Sequence, residues 1–129
     1  MRLGILGTLS IGLLLVGQVA LAETVKIGFV TTLTGGAGAI GNDMRDAVEL
    51  ALDHLGRKMG NSDVKMFYED DTFKPAVGKQ KTEKLVKKDK VHFVTGYIWS
   101  NVLMASRNSV VGKGPFMITS NAGPGPVAG

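Results

Sequence analysis

The sequence predicts an α/β fold, a partial doubly wound parallel sheet in the order β-α-β-α-β-α-β. Two observations carry that expectation. Short runs rich in β-branched and aromatic residues, at 25–30, 64–68, 91–95 and 116–119, alternate with segments of helical character. The connections between them are of ordinary length, and the chain has no internal repeat. Such alternation places a helix in each crossover, so the strands run parallel with helices over the sheet, right-handed in nearly all known cases.

The first run, 25–30, alternates little, as a buried strand does, and leads into a turn-rich segment, 31–41. A helix follows, capped by Asn42 or Asp43, because Met44, Ala47, Val48, Ala51, Leu52 and Leu55 form one continuous apolar stripe. Residues 56–62 read as a loop and 64–68 as the second strand. An acidic connection, 69–74, ends at Pro75, a favoured first helical residue. The second helix turns Gly78, Thr82, Leu85 and Val86 inward and leaves its lysines on the remaining faces. After the third strand and the loop 96–100, a third helix is expected over 101–111, ended by the glycines of 112–114. The fourth strand, 116–119, is followed only by small residues, Pro and Gly. Its edge is left unpaired, so the sequence is expected to be the opening portion of a longer protein.

Residues 1–22 read as a secretory leader, with Arg2, an apolar run over 3–16, and Ala20-Leu21-Ala22 before Glu23. The run is too short to be a convincing transmembrane helix, although an uncleaved N-terminal anchor is the rival reading. The chain has no cysteine, which excludes both a lipid at the cleavage point and a disulfide framework. Cleavage after Ala22 would deliver residues 23–129, enough for one small domain, to a bacterial periplasm. The net charge of +4 is too mild to argue for nucleic acid. Lys79, Lys81, Lys84, Lys87, Lys88 and Lys90 cluster, but no aromatic residues interleave with them, which favours a solvated helix face over a binding patch.

Gly36-Ala37-Gly38-Ala39-Ile40-Gly41 matches the dinucleotide pattern G-x-G-x-x-G literally. It is rejected because residues 31–35 separate it from the strand end, where the pyrophosphate turn needs its first glycine. Glu69 and Asp70 also come too late to hold a ribose, and the leader points away from the nicotinamide pool. These glycines are expected instead to form a flexible rim that lets backbone amides approach a ligand. Glu69, Asp70 and Asp71 are consecutive, without the spacing of a calcium loop, and read as solvated turn residues. His54 and His92 have no partner spacing for a nucleophile or metal site. No catalytic set, cofactor site or metal site is expected, and the protein does not read as an enzyme.

Val25-Lys26-Ile27-Gly28-Phe29-Val30-Thr31-Thr32-Leu33-Thr34-Gly35, Tyr68-Glu69-Asp70-Asp71-Thr72-Phe73-Lys74-Pro75, Phe93-Val94-Thr95-Gly96-Tyr97-Ile98-Trp99-Ser100 and Met117-Ile118-Thr119-Ser120-Asn121-Ala122-Gly123-Pro124 together resemble the start of a known family. It is the branched-chain amino acid type of ABC-transporter substrate-binding protein, a periplasmic binding protein of type I. Full members have two α/β lobes that close over a small ligand, and this chain would supply the first half or so of the first lobe. The resemblance implies that Ser100 donates to a ligand carboxylate through its hydroxyl and backbone amide. It further implies that Asn121, Ala122 and Gly123 offer backbone groups, that Ile98 and Trp99 line the pocket, and that Ile40 sits at its rim. The alternatives are that Trp99 is ordinary packing and that Ser100 chiefly caps the third helix. Amino acid binders of the family usually carry a threonine where this chain has Gly123, which turns the expected ligand from an amino acid toward a small organic acid, plausibly an aromatic carboxylate. The implied partner is an inner-membrane ABC permease. A sensory-receptor ectodomain of the same fold is the main competing function, and a dinucleotide-binding enzyme the other.

Overall fold

A computed structural model describes residues 23–125; the expected leader lies outside the described residues. Strand β1 (Val25–Thr31) leads to helix α1 (Gly38–His54), then a hairpin of β2 (Lys58–Met59) and β3 (Ser62–Asp70). Helix α2 (Pro75–Lys84), strand β4 (Phe93–Gly96), helix α3 (Ser100–Arg107) and strand β5 (Phe116–Met117) complete the order. The sheet runs β2-β3-β1-β4-β5. Strands β3, β1, β4 and β5 are parallel, and only the edge strand β2 is antiparallel. The chain steps from β1 to β3 on one side and then returns across β1 to β4, so the two crossovers place α1 and α2 on opposite faces. This is the expected doubly wound sheet, with an antiparallel edge added.

The core lies beneath α2 and α3, where Val30, Leu85, Val94, Tyr97, Val102 and Leu103 form one fully buried cluster. Helix α1 covers the other face. It is tied to the sheet by a hydrogen bond from the Tyr68 hydroxyl to Glu49, beside the packed rings of Phe29 and Tyr68. Of the apolar stripe expected on α1, only Leu52 is buried, Met44 and Val48 are half-buried, and Ala47, Ala51 and Leu55 are exposed. The helix meets the sheet along one line of residues, and the other flank of its stripe faces solvent among the described residues.

The same helix begins before the expected caps. Asn42 does not cap it: its side-chain amide donates to the carbonyls of Leu33 (3.0 Å) and Gly38 (2.7 Å) from the start of the second turn. Gly38 and Gly41 take up a different task from the flexible rim expected of them, whereas Gly36 has open space around it. A Cβ on Gly38 would lie 2.8 Å from the Leu33 carbonyl oxygen, and one on Gly41 would lie 1.8 Å from that of Thr32. The first turn of α1 is packed on the backbone of its own incoming loop, and only glycine permits that approach.

Other boundaries moved for local reasons. Gly60, at φ +61°, allows the expected loop to tighten into the β2–β3 hairpin, which Lys58 and Asp63 bridge at 2.8 Å. The last turn of α2 widens over Leu85–Asp89 and closes with Lys90 in the left-handed conformation. The amide of Val91 is spent on the Leu85 carbonyl, so β4 starts at Phe93 rather than Val91. Helix α3 ends at Arg107 and continues as turns, and β5 is only two residues long.

Helices α2 and α3 meet at Gly78, where a Cβ would fall 2.3 Å from Val102 Cγ1 and 3.4 Å from Asp71 Cβ. Gly78→Ala is expected to cost about 1–2 kcal/mol by forcing the two helices apart. Urea denaturation tests this, and an unchanged midpoint would show that the contact yields freely.

Candidate functional site

Because β1 has β3 on one side and β4 on the other, the sheet's topological switch point lies at the carboxyl ends of β1 and β4. In open α/β sheets ligands bind in the crevice at such a point. Three loops meet there, and hydrogen bonds join them. The Tyr97 amide donates to the Val30 carbonyl (2.6 Å), and the Ala122 amide donates to the Tyr97 carbonyl (3.2 Å). The Trp99 indole donates to Thr32 Oγ1 (3.0 Å), and the Asn121 side chain to the Ile98 carbonyl (3.3 Å). The segments that the sequence marks as ligand loops, after β1, β4 and β5, therefore form one unit.

The β4–α3 connection turns sharply. Gly96 has φ +100° and would place a Cβ 2.3 Å from the Val30 carbonyl oxygen, so no other residue fits. Tyr97 also sits at positive φ, +55°, an uncommon conformation for a residue with a side chain. Its ring is buried in the core and its hydroxyl shares a 2.7 Å hydrogen bond with Thr82 Oγ1. Burial pushes its pKa up to about 12, against the hydrogen bond to Thr82 that lowers it, so Tyr97 stays neutral.

Each expected site residue has a definite place. Ser100 is exposed and is the first residue of α3, while Trp99 holds the cap position without any side-chain cap. Ser100 is thus not the helix cap that one alternative made it, and it brings an N-terminal amide of α3 that no intrahelical carbonyl reaches. Ile40 is exposed in the first turn of α1. Gly123 is exposed, with open space around it. Asn121 is held by Ile98. Ile98 itself is buried, so it meets the crevice mainly through its backbone. Trp99 is half-buried, and its ring lies 4.3 Å from that of Phe73. Ala122 is only 3% exposed and its amide is already engaged, which leaves its carbonyl as the backbone group it has to offer.

The acidic run reads differently in three dimensions from the solvated turn expected of it. Strand β3 extends to Asp70 and draws all three carboxylates into the end of the sheet. Glu69 is 6% exposed and paired with Lys81 (2.9 Å) and Lys84. Burial pushes its carboxyl up, but the hydrogen bonds from Lys84 and Lys81 outweigh that and hold it below its ordinary value. Two lysines of the supposed solvated face are therefore engaged. Asp70 accepts from the amides of Leu33 and Thr72, both at 2.9 Å, and from Thr34 Oγ1 at 2.6 Å. Burial again raises its pKa, and these donors bring the balance below the usual range. Asp71 accepts from Thr32 Oγ1 (2.5 Å) and from the Phe73 amide (2.8 Å). Thr32, Asp70, Asp71 and Phe73 thus shape the crevice, although the sequence reading passed over them as site residues. The available signal was the pairing of an acidic strand end with a threonine-rich one, which only the β1–β3 register brings side by side.

A parallel sheet with bonded loops at its switch point defines a ligand-binding α/β lobe. Residues 24–128 match the family described as periplasmic binding protein, and the chain belongs to that family. A Leu/Ile/Val-binding protein of Rhizobium johnstonii is 29% identical over 100 residues, which is 76% of this chain and 27% of that protein. An ABC transporter substrate-binding protein from Sphaerobacter thermophilus is 33% identical with a TM-score of 0.74, over 79% of this chain and 28% of that one. A solute-binding protein of an R. palustris ABC transporter, solved in complex with benzoate, is 26% identical with a TM-score of 0.72, over 78% of this chain and 28% of that one. The chain therefore spans 27 to 28% of the length of these relatives. The resemblance read from the four sequence segments is borne out, and the family is one of substrate-binding proteins of transporters rather than of enzymes.

Proposed function

We propose that the chain forms the first part of lobe 1 in an exported substrate-binding component of an ABC importer, with its leader cleaved after Ala22. Its crevice takes the carboxylate of a small organic acid or amino acid, which an inner-membrane permease then receives. The observation that carries this reading is Ser100 at the N-terminus of α3, beside the switch point. Free amides and the helix dipole favour an anion there, and the exposed hydroxyl adds a further donor. Asn121, Gly123 and the Ala122 carbonyl form the opposite wall, with Ile40 at the rim.

The aromatic acid is the preferred substrate class. Gly123 lacks the hydroxyl that, by resemblance, helps amino acid binders hold an ammonium, and burying that group unpaired would be costly. The R. palustris relative solved with benzoate agrees with this preference. Trp99 shares its ring with Phe73, so it meets a ligand only through its remaining surface.

A hydrogen bond to a charged group contributes about 1.5–3 kcal/mol. Ser100→Ala in the full-length protein is therefore expected to weaken binding roughly ten- to a hundred-fold. Calorimetry with benzoate, 4-hydroxybenzoate and leucine makes the test. Unchanged affinity in the folded variant would remove Ser100 from the site, and binding of leucine alone would overturn the aromatic preference.

A further inference from the structure

We infer that the β3–α2 connection is a positioning device for the ligand loop, acting through Asp71, Thr32 and Phe73 on Trp99 and so on Ser100. The inference rests on the reading of Ser100 as the anion-binding residue.

Asp71 is fully buried, and its Oδ1 collects both the Thr32 hydroxyl and the Phe73 amide. A threonine hydroxyl has one proton. With that proton given to the carboxylate, Thr32 can turn only a lone pair toward the Trp99 indole N–H. The result is a one-way chain, from Trp99 through Thr32 to Asp71, whose buried carboxylate end strengthens each link. It fixes the edge of the Trp99 ring.

The face of that ring is fixed by a second device. Thr72 and Phe73 stand at φ +49° and +60°, left-handed conformations that are uncommon for residues with side chains. Their amides are held by the carboxylates of Asp70 and Asp71, and the Lys74 amide donates to the Asp71 carbonyl at 2.8 Å. The turn so formed sets Phe73 against Trp99, although Phe73 itself remains 49% exposed. The turn thereby brings the Phe73 ring to 4.3 Å from the Trp99 ring, centroid to centroid. Trp99 is the cap residue of α3, its carbonyl accepts from the Leu103 amide at 3.0 Å, and Ser100 follows it directly. An indole held on edge and face thus sets where the helix begins and where the Ser100 amide lies.

The test reads Trp99 and the ligand separately. In the full-length protein the Trp99 indole N–H resonance is assigned by its loss in Trp99→Phe. Thr32→Val, nearly the same shape but without a hydroxyl, is expected to speed solvent exchange of that proton at least tenfold. It is also expected to weaken benzoate binding about tenfold, and Thr32→Ser should restore both. If Thr32→Val does not fold, Phe73→Leu takes its place, with a shifted indole resonance and weakened binding expected and Phe73→Tyr as the rescue. An indole signal that does not respond overturns the inference. Weakened binding in Ser100→Ala with full binding in Thr32→Val also overturns it, while leaving the ligand site intact. Full binding in Ser100→Ala removes the anion-site reading and this inference together.

Discussion

Gly41→Ala is expected to destabilise the protein by about 3 kcal/mol or more, at or beyond the upper end of the usual cost of overpacking. The new methyl would stand 1.8 Å from the Thr32 carbonyl oxygen and 2.6 Å from its carbon. Overpacking is commonly relieved by rotating a neighbouring side chain, but here the obstacle is backbone. That backbone belongs to the loop whose Thr32 hydroxyl meets Asp71 and Trp99, so relief would also disturb the crevice. Gly36 supplies the control. A Cβ there meets nothing within 4 Å, and its φ lies outside the left-handed region. Gly36→Ala should therefore be neutral, or stabilising by about 0.4–1 kcal/mol through the unfolded chain. Urea denaturation of the pair provides the measurement, and equal midpoints would refute the close approach.

Glu69→Ala is expected to cost about 1–2 kcal/mol, the loss of charge-assisted hydrogen bonds, because Lys81 and Lys84 reach solvent, rehydrate and leave no buried charge behind. Its pH signature has a definite sign. The Glu69 carboxyl lies below its ordinary value of 4.5, so its contribution is present above that value and is lost as pH falls through the folded pKa. Lys84 is raised above its ordinary 10.5, chiefly by the hydrogen bond to Glu69. The part it contributes is complete below 10.5 and is lost as pH rises through its folded pKa. Stability measured against pH should therefore fall at the acid end in the wild type and fall less steeply there in Glu69→Ala. Parallel acid limbs would show that the pair is not coupled to folding.

The order of strands and helices was legible because β-branched runs and amphipathic stretches are local signals, and the convergence of the ligand loops followed from the topology alone. Boundaries were less legible wherever a tertiary partner decided them. Asn42 has the chemistry of a cap, but the Leu33 carbonyl claims its side chain, and that carbonyl becomes a neighbour only after the loop folds back. The acidic run was misread for a similar reason. Three adjacent carboxylates suggest solvent until the register sets Asp70 beside Thr31 and brings Lys81 and Lys84 over Glu69. In the candidate site the exposed Ser100 was readable, whereas the supports behind it were not. Asp71, Thr32 and Phe73 act through hydrogen bonds and ring contacts between segments far apart in sequence.

Strand β5 has a consequence for how the crevice behaves. It is joined to β4 through the register pairs of Phe93 with Phe116 and Val94 with Met117 and through the Ile118 amide, which donates to the Val94 carbonyl at 3.0 Å, whereas β1 is laddered to β3 along its whole length. Local opening is easiest where few backbone bonds and few buried neighbours hold a segment, and Phe116 and Ile118 are both exposed. The segment that carries Asn121 and Gly123 therefore hangs from a two-residue edge strand, whereas the loops after β1 and β4 are tied into the middle of the sheet. In hydrogen exchange, the amides of Ile118 and Ala122 should trade their protons well before those of Tyr97 and Asp71. The β1–β4 side of the crevice is thereby the stiffer one, and the β5 side the one that can yield.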